Sequence, residues 1–165
     1  MLYHEQDPKT KYDLWVLPME GERKPVVFLR TEFNERDGAF SPDGKWIAYN
    51  SDESGRPEVY VQPYPATGAK WRVSKDGGTR PRWRRDGKEI YWLTEVGTLL
   101  AADVTAGPPF QPATPRRLFE TRIQDRTERY AVSGDGKRFL IPLPLETDAN
   151  RPLTVVENWL GAAKR

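Results

Sequence analysis

Apolar and polar residues alternate along most of this chain in short runs. Between them stand wholly apolar runs such as Trp46-Ile47-Ala48-Tyr49, which follows the turn residues Ser41-Pro42-Asp43-Gly44. A period of two places alternate side chains on opposite faces of a strand. Similar runs start at Asp13 ("DLWV"), Glu58 ("EVYV"), Glu89 ("EIYW") and Arg138 ("RFLI"). No stretch sustains the 3.6-residue period of a helix, and only the terminal "NWLGAAKR" from Asn158 has room for a helical turn. The pattern predicts an all-β fold of many short strands.

The pattern also repeats. Asp43-Gly44-Lys45, Asp86-Gly87-Lys88 and Asp135-Gly136-Lys137 stand roughly 40–50 residues apart, the period of four-stranded propeller blades. Aligning the triplets aligns three apolar columns: Phe40 with Trp83 and Val132, Ile47 with Ile90 and Phe139, and Tyr49 with Trp92 and Ile141. Pro42 presets φ for the first corner of the turn, Asp43 tolerates the second, and Gly44 takes the positive φ that closes the hairpin. Arg85 and Gly134 replace the proline in the other copies, while Asp and Gly stay. A third strand follows each hairpin ("DLWVLP", "EVYVQP", "TLLAAD"), then a shorter fourth near Val27, Val73 and Leu118. Pro18, Pro63 and Pro65 fit strand ends, because a central proline would remove a ladder hydrogen bond.

These units predict one domain over residues 1–165, a β-propeller-type array of about four WD40-like blades near 1–30, 31–75, 76–120 and 121–160. The first and last units read as three strands and the middle two as four, so the array is a partial or half propeller. Its open end faces invite association. The expectation is a homodimer completing a ring, or a piece of a longer propeller.

"FSPDGKWIAYNSDESGRPEVYVQP", from Phe40 to Pro63, resembles the WD40-like (PD40) repeat of TolB-like β-propellers. The likeness is closest in the second unit and spans nearly the whole chain. It implies a bacterial scaffold for protein interaction at the cell envelope, in a periplasmic or extracytoplasmic compartment. TolB-like propellers also serve as gating domains of prolyl-oligopeptidase-type hydrolases. The tail "PLTVVENWLGAAKR" resembles propellers fused to bacterial serine/threonine kinases, which implies a sensor role as an alternative.

Composition narrows the function. Lys and Arg number 26 against 24 Asp and Glu, a net charge of +2 that marks neither a nucleic-acid binder nor an acidic tail. With no cysteine, disulfides and thiolate metal sites are excluded. No apolar run reaches the ~20 residues of a membrane helix, and the first residues lack the pattern of a signal peptide. The one histidine is His4, and no Gly-x-Ser-x-Gly elbow, Gly-rich phosphate loop, HRD or DFG motif is present. No catalytic residue, metal or cofactor is expected. The three turn aspartates lie a blade apart, which suits turn chemistry better than the converging oxygens calcium needs.

The strongest candidate site is "TRPRWRRDGK". Arg80, Arg82 and Arg84 share one face of an inner strand by the period of two. Aligned positions are Asp37, Ala39 and Ser41 before it, and Arg129, Ala131 and Ser133 after it. Three guanidiniums on a channel wall could hold a carboxylate or phosphate, from a small anionic ligand or a peptide end. The plainer alternative is a solvated, ion-paired arginine face. Among the six tryptophans, Trp83 and Trp92 fall in the core columns. Trp15 aligns with Tyr60, which suggests packing between sheets. Trp46, aligned with Glu89 and Arg138, is the one expected at the surface.

Overall fold

The computed structural model describes residues 1–107, 109–121, 123 and 130–142, and the backbone of 154–157. Among these there is no helix, and so none long and apolar enough to cross a membrane. Fifteen strands form four antiparallel sheets. The first sheet holds β1 (Leu2–Asp7), β2 (Lys11–Val16) and β3 (Val26–Leu29) in that order. The second holds β4 (Arg36–Phe40), β5 (Trp46–Ser51), β6 (Glu58–Pro63) and β7 (Trp71–Arg72). The third runs β8 (Thr79–Trp83), β9 (Glu89–Leu93) and β10 (Thr98–Thr105), and both β11 (Gln111–Pro112) and β12 (Arg116–Glu120) pair with β10. The fourth holds β13 (Ala131–Val132), β14 (Arg138–Ile141) and β15 (Thr154–Glu157).

The Asp-Gly-Lys triplets close the hairpins that start the last three sheets. Gly44, Gly87 and Gly136 all have φ near +72° (72°, 72° and 73°), a region where a Cβ would be strained. In each turn the aspartate accepts from the lysine amide, at 3.1 Å for Asp43, 3.0 Å for Asp86 and 3.0 Å for Asp135. Ser41 and Ser133 also donate their hydroxyls to Asp43 and Asp135. In the third sheet the Arg84 guanidinium takes that place. These bonds favour the charged form, so all three carboxyls are held below the usual carboxylate range. The carboxylates are spent on backbone amides of their own turns.

Three apolar clusters fill the gaps between consecutive sheets. Leu14, Val16 and Phe28 meet Ile47, Tyr49 and Tyr60 in the first gap. Trp46, Ala48, Val59 and Val61 meet Trp83, Ile90, Trp92 and Phe110 in the second. Tyr91, Leu93 and Leu99 meet Tyr130, Phe139 and Ile141 in the third. All three aligned columns face the preceding sheet. Ile47, Tyr49, Ile90 and Phe139 are fully enclosed, and Trp83 is 8% exposed. β1 lies against β4 as β5 lies against β8, so β1 holds the second-strand position in its sheet.

Trp46 departs from its sequence expectation. It is buried, with ring centroids 5.8 Å from Trp71 and 5.2 Å from Phe110. Its aligned partner Glu89 is buried as well, because this column faces the following sheet. A polar residue in a column therefore did not mark a solvent face. The terminal "NWLGAAKR" lies outside the described residues.

Candidate functional site

β4 and β8 are the first strands of their sheets and lie side by side. Each carries a bulge at the same place. In β8, Arg80 and Pro81 stand between the pairs Thr79–Leu93 and Arg82–Tyr91. In β4, Asp37 and Gly38 stand between Arg36–Asn50 and Ala39–Ala48. Two residues thus oppose one, and the first of each pair is left-handed, with φ of 54° at Asp37 and 55° at Arg80. Gly38 leaves room for the first sheet to pack close, since a Cβ there would come within 2.7 Å of Leu2 Cδ2 and 3.1 Å of Leu14 Cδ2. Pro81 fits because the bulged position need not donate to the ladder.

The bulge corrects the expectation that Arg80, Arg82 and Arg84 share one face. It inserts a residue between the first two and breaks the period of two. Arg84 lies beyond the end of β8, in the hairpin. Its Nε and Nη2 donate to both oxygens of Asp86 at 2.8 and 2.9 Å, and its Nη1 donates to Glu89 Oε2 at 2.8 Å. These bonds, led by the one to Asp86, raise its pKa further. Glu89 is buried and also accepts from Tyr91 at 2.6 Å and from Arg116. Arg84 is therefore a positioning residue that ties the turn to a buried acid.

Arg80 is buried, and Arg82 is half-buried. The Arg82 guanidinium donates to the Pro81 carbonyl at 2.9 Å and lies 5.9 Å from the centre of the Tyr130 ring. Tyr130 is buried, and its hydroxyl has no hydrogen-bond partner among the described residues. Burial pushes that hydroxyl's pKa up, while the Arg82 and Arg80 charges oppose the shift. Across the gap, the Asp37 amide donates to His4 Nδ1 at 3.4 Å. The Asn50 amide, turned to satisfy its neighbours, donates to Asp37 Oδ2 at 3.0 Å. Arg80, Arg82, Tyr130 and Asp37 thus converge from the second, third and fourth sheets. Arg129, the aligned position in the last unit, lies outside the described residues.

Sequence reasoning missed the buried acids. Asp13 and Glu58 hold aligned positions in β2 and β6, and each takes an arginine: Arg30 Nε at 3.0 Å and Arg56 Nε at 2.9 Å. Glu35 is wholly buried, and burial pushes its carboxyl up to about 7. Thr31 donates to Glu35 Oε1, while Glu35 Oε2 and Asp13 Oδ1 have no partner among the described residues. No group of three or more His, Asp or Glu able to hold a metal occurs among the described residues. A groove of about 610 Å³ runs between the Asp43 and Asp86 turns. Those carboxylates are committed to their turns, so the inner strands are the better candidate.

Four sheets packed face to face, with bulged first strands side by side, define a β-propeller array. Solved structures similar to it include propellers. TolB from Acinetobacter baumannii matches at 19% identity and a TM-score of 0.50, over 95% of this chain and 50% of that one. A chain of a nidogen/laminin complex matches at 15% identity and a TM-score of 0.58, over 85% and 51%. A puromycin-hydrolysing peptidase of Mycobacterium tuberculosis matches at 16% and 0.58, over 84% and 23%. The fold shared with these structures is that of a β-propeller. The chain spans about half the length of the TolB structure it matches. No family model and no curated protein matches it. The matched propellers include TolB and a peptidase alike, so the shared fold does not choose between scaffold and enzyme accessory.

Proposed function

We propose that this chain is a non-enzymatic propeller scaffold for a protein or peptide partner. Arg82 at the inner strand receives a carboxylate or another small anion, with the charge of the buried Arg80 nearby, and Arg84 holds the hairpin beside them. The observation that carries this reading is Arg82. Among the described residues its guanidinium bonds to no carboxylate and lies over the ring of the buried Tyr130. A bound carboxylate accepting from the Arg82 guanidinium would satisfy it, and charge-assisted bonds of this kind are the strong ones. The same reading makes the chain half of a ring, completed by a second copy.

Isothermal titration with a Glu-Glu-Glu tripeptide tests the site. Binding that weakens with salt, and falls about tenfold or more in Arg82→Met, is expected, since a bond to a charged group contributes ~1.5–3 kcal/mol. Equal binding by wild type and variant, or none by either, overturns it. The alternative is an accessory propeller, a gate or sensor, of a larger hydrolase or receptor-like kinase. The likeness to a peptidase favours it, and a hydrolase or kinase segment in the same gene would establish it.

A further inference from the structure

The hairpin of the third sheet differs from its neighbours at the first corner of the turn. Pro42 stands there in the second sheet and Gly134 in the fourth, whereas the third has Arg85. Each corner meets the next turn along the array. A Cβ on Gly87 would lie 3.7 Å from Pro42 Cδ, and one on Gly134 would lie 3.0 Å from Arg85 Cδ and 3.6 Å from its Cβ. The Arg85 stem therefore rests on the bare backbone of Gly134. Gly134, unlike Gly136, is not left-handed, so its backbone does not call for glycine. The stem laid across it accounts for the missing side chain.

Arg82 leans the same way, with its guanidinium 5.9 Å from the centre of the Tyr130 ring. Tyr130 and Gly134 flank β13, so Arg82 and Arg85 both cross the seam between the third and fourth sheets. Neither guanidinium meets a carboxylate among the described residues. Asp86, next to Arg85 in the chain, gives both its oxygens to Arg84, and Arg84 also bonds to Glu89. Arg84 thus keeps the nearby acids away from its neighbours. Arg85 is exposed, but its stem is already placed, so less side-chain freedom remains to be lost on pairing.

We propose that Arg85 is a second anion-binding residue of the Arg82 site, and that the partner segment is an extended peptide with two acidic residues separated by one other. This rests on the reading of Arg82 given above. Arg82 and Arg85 are three positions apart, a span of at most ~11 Å along the chain. Alternate residues of an extended peptide share one face and lie about 7 Å apart. The long arginine side chains cover the difference. Acids in adjacent positions point to opposite faces, and only one of them reaches the pair.

Isothermal titration of the full chain with three blocked peptides is the test. They are acetyl-Glu-Ser-Glu-amide, acetyl-Glu-Glu-Ser-amide of the same charge, and acetyl-Gln-Ser-Glu-amide with one acid. Wild type should bind the first about three- to tenfold more tightly than the other two. Arg85→Met should abolish that preference. Gly134→Ala, which keeps every charge and crowds the stem, should reduce it. Arg82→Met should weaken the first peptide as well. A wild type indifferent to the spacing, or a preference that survives Arg85→Met, overturns the role of Arg85 and leaves the reading of Arg82 standing. An undiminished preference in Gly134→Ala overturns the placing of the Arg85 stem. Binding untouched by Arg82→Met, or no binding of any peptide, overturns the reading of Arg82 and this inference with it.

Discussion

The indole Nε1 of Trp83 donates to the carbonyl of Ala39 at 3.1 Å, across the gap between the second and third sheets. The two residues belong to the neighbouring strands β8 and β4, so one polar bond ties the inner edges that the apolar cluster holds face to face. Trp83 is 8% exposed and touches the ring of Phe110 edge-on. Trp83→Ala should therefore destabilise by ~3–5 kcal/mol, the range for large aromatic deletions in cores. Trp83→Phe should lose less, since it keeps an aromatic ring and gives up the bond to the Ala39 carbonyl, which contributes about 0.5–1.5 kcal/mol. Urea melts of both variants check the order, and an unchanged midpoint for Trp83→Ala would remove the packing described.

Arg82 and Arg84 should separate cleanly. Arg84→Met leaves the buried Glu89 with one guanidinium instead of two and frees the Asp86 turn. A loss of about 1–3 kcal/mol is expected, below the ~3–5 kcal/mol of a fully broken buried pair, because Arg116 remains. Arg82→Met should stay within ~0.5 kcal/mol of wild type, as most half-exposed substitutions do. Thermal denaturation of the pair is the measurement. Equal losses would mean that Arg82 is structural too.

Gly136 and Gly44 share a backbone conformation but not surroundings. A Cβ on Gly44 meets nothing within 4 Å, whereas one on Gly136 would fall 2.3 Å from the Tyr91 hydroxyl and 2.9 Å from Arg84 Cδ. Gly44→Ala should cost ~1–2 kcal/mol from the left-handed backbone alone. Gly136→Ala should cost ~1–3 kcal/mol more, as overpacking does. Chemical denaturation of the two proteins side by side checks this, and equal costs would show that the fourth hairpin is not seated on Arg84.

Glu35 makes stability depend on pH. Its folded carboxyl titrates near 7, above the ordinary value of 4.5, through burial first and the nearby Asp13 and Asp52 charges after it. A raised pKa means that the folded state holds the proton more tightly. Its contribution is complete below about pH 4.5 and is lost as pH rises through 7. The swing is at most ~3 kcal/mol. Glu35→Gln should flatten this part of the pH profile of the melting temperature between pH 5 and 8. A wild-type profile that rises over this window, with no difference in the variant, would show that Glu35 is ionised in the fold.

The repeat was legible because it rests on local rules. Asp-Gly turns and alternating columns are read residue by residue, and Ile47, Ile90 and Phe139 proved to hold one place in three gaps. Trp46 was misread because its column partners Glu89 and Arg138 are polar, and burial of Glu89 depends on Arg84 and Arg116, which no alignment of columns reveals. The arginine face was misread through one residue. Pro81 inside "TRPRW" was the available sign that the ladder is interrupted there, but the left-handed φ of Arg80 had no sign of its own. Asp13 and Glu58 stood in aligned positions, and only the fold brings Arg30 and Arg56 to them.

The three apolar clusters have a further consequence. Each is shared by two consecutive sheets alone, so cooperativity along the array runs from neighbour to neighbour, as in a chain of coupled units. Disrupting the first or fourth sheet removes one coupling, and disrupting the second or third removes two. Amide hydrogens of β5 and β9 should therefore exchange by the most global opening and those of β1 and β14 by local fraying. A ring that closes would erase this gradient, because a closed chain of couplings has no ends.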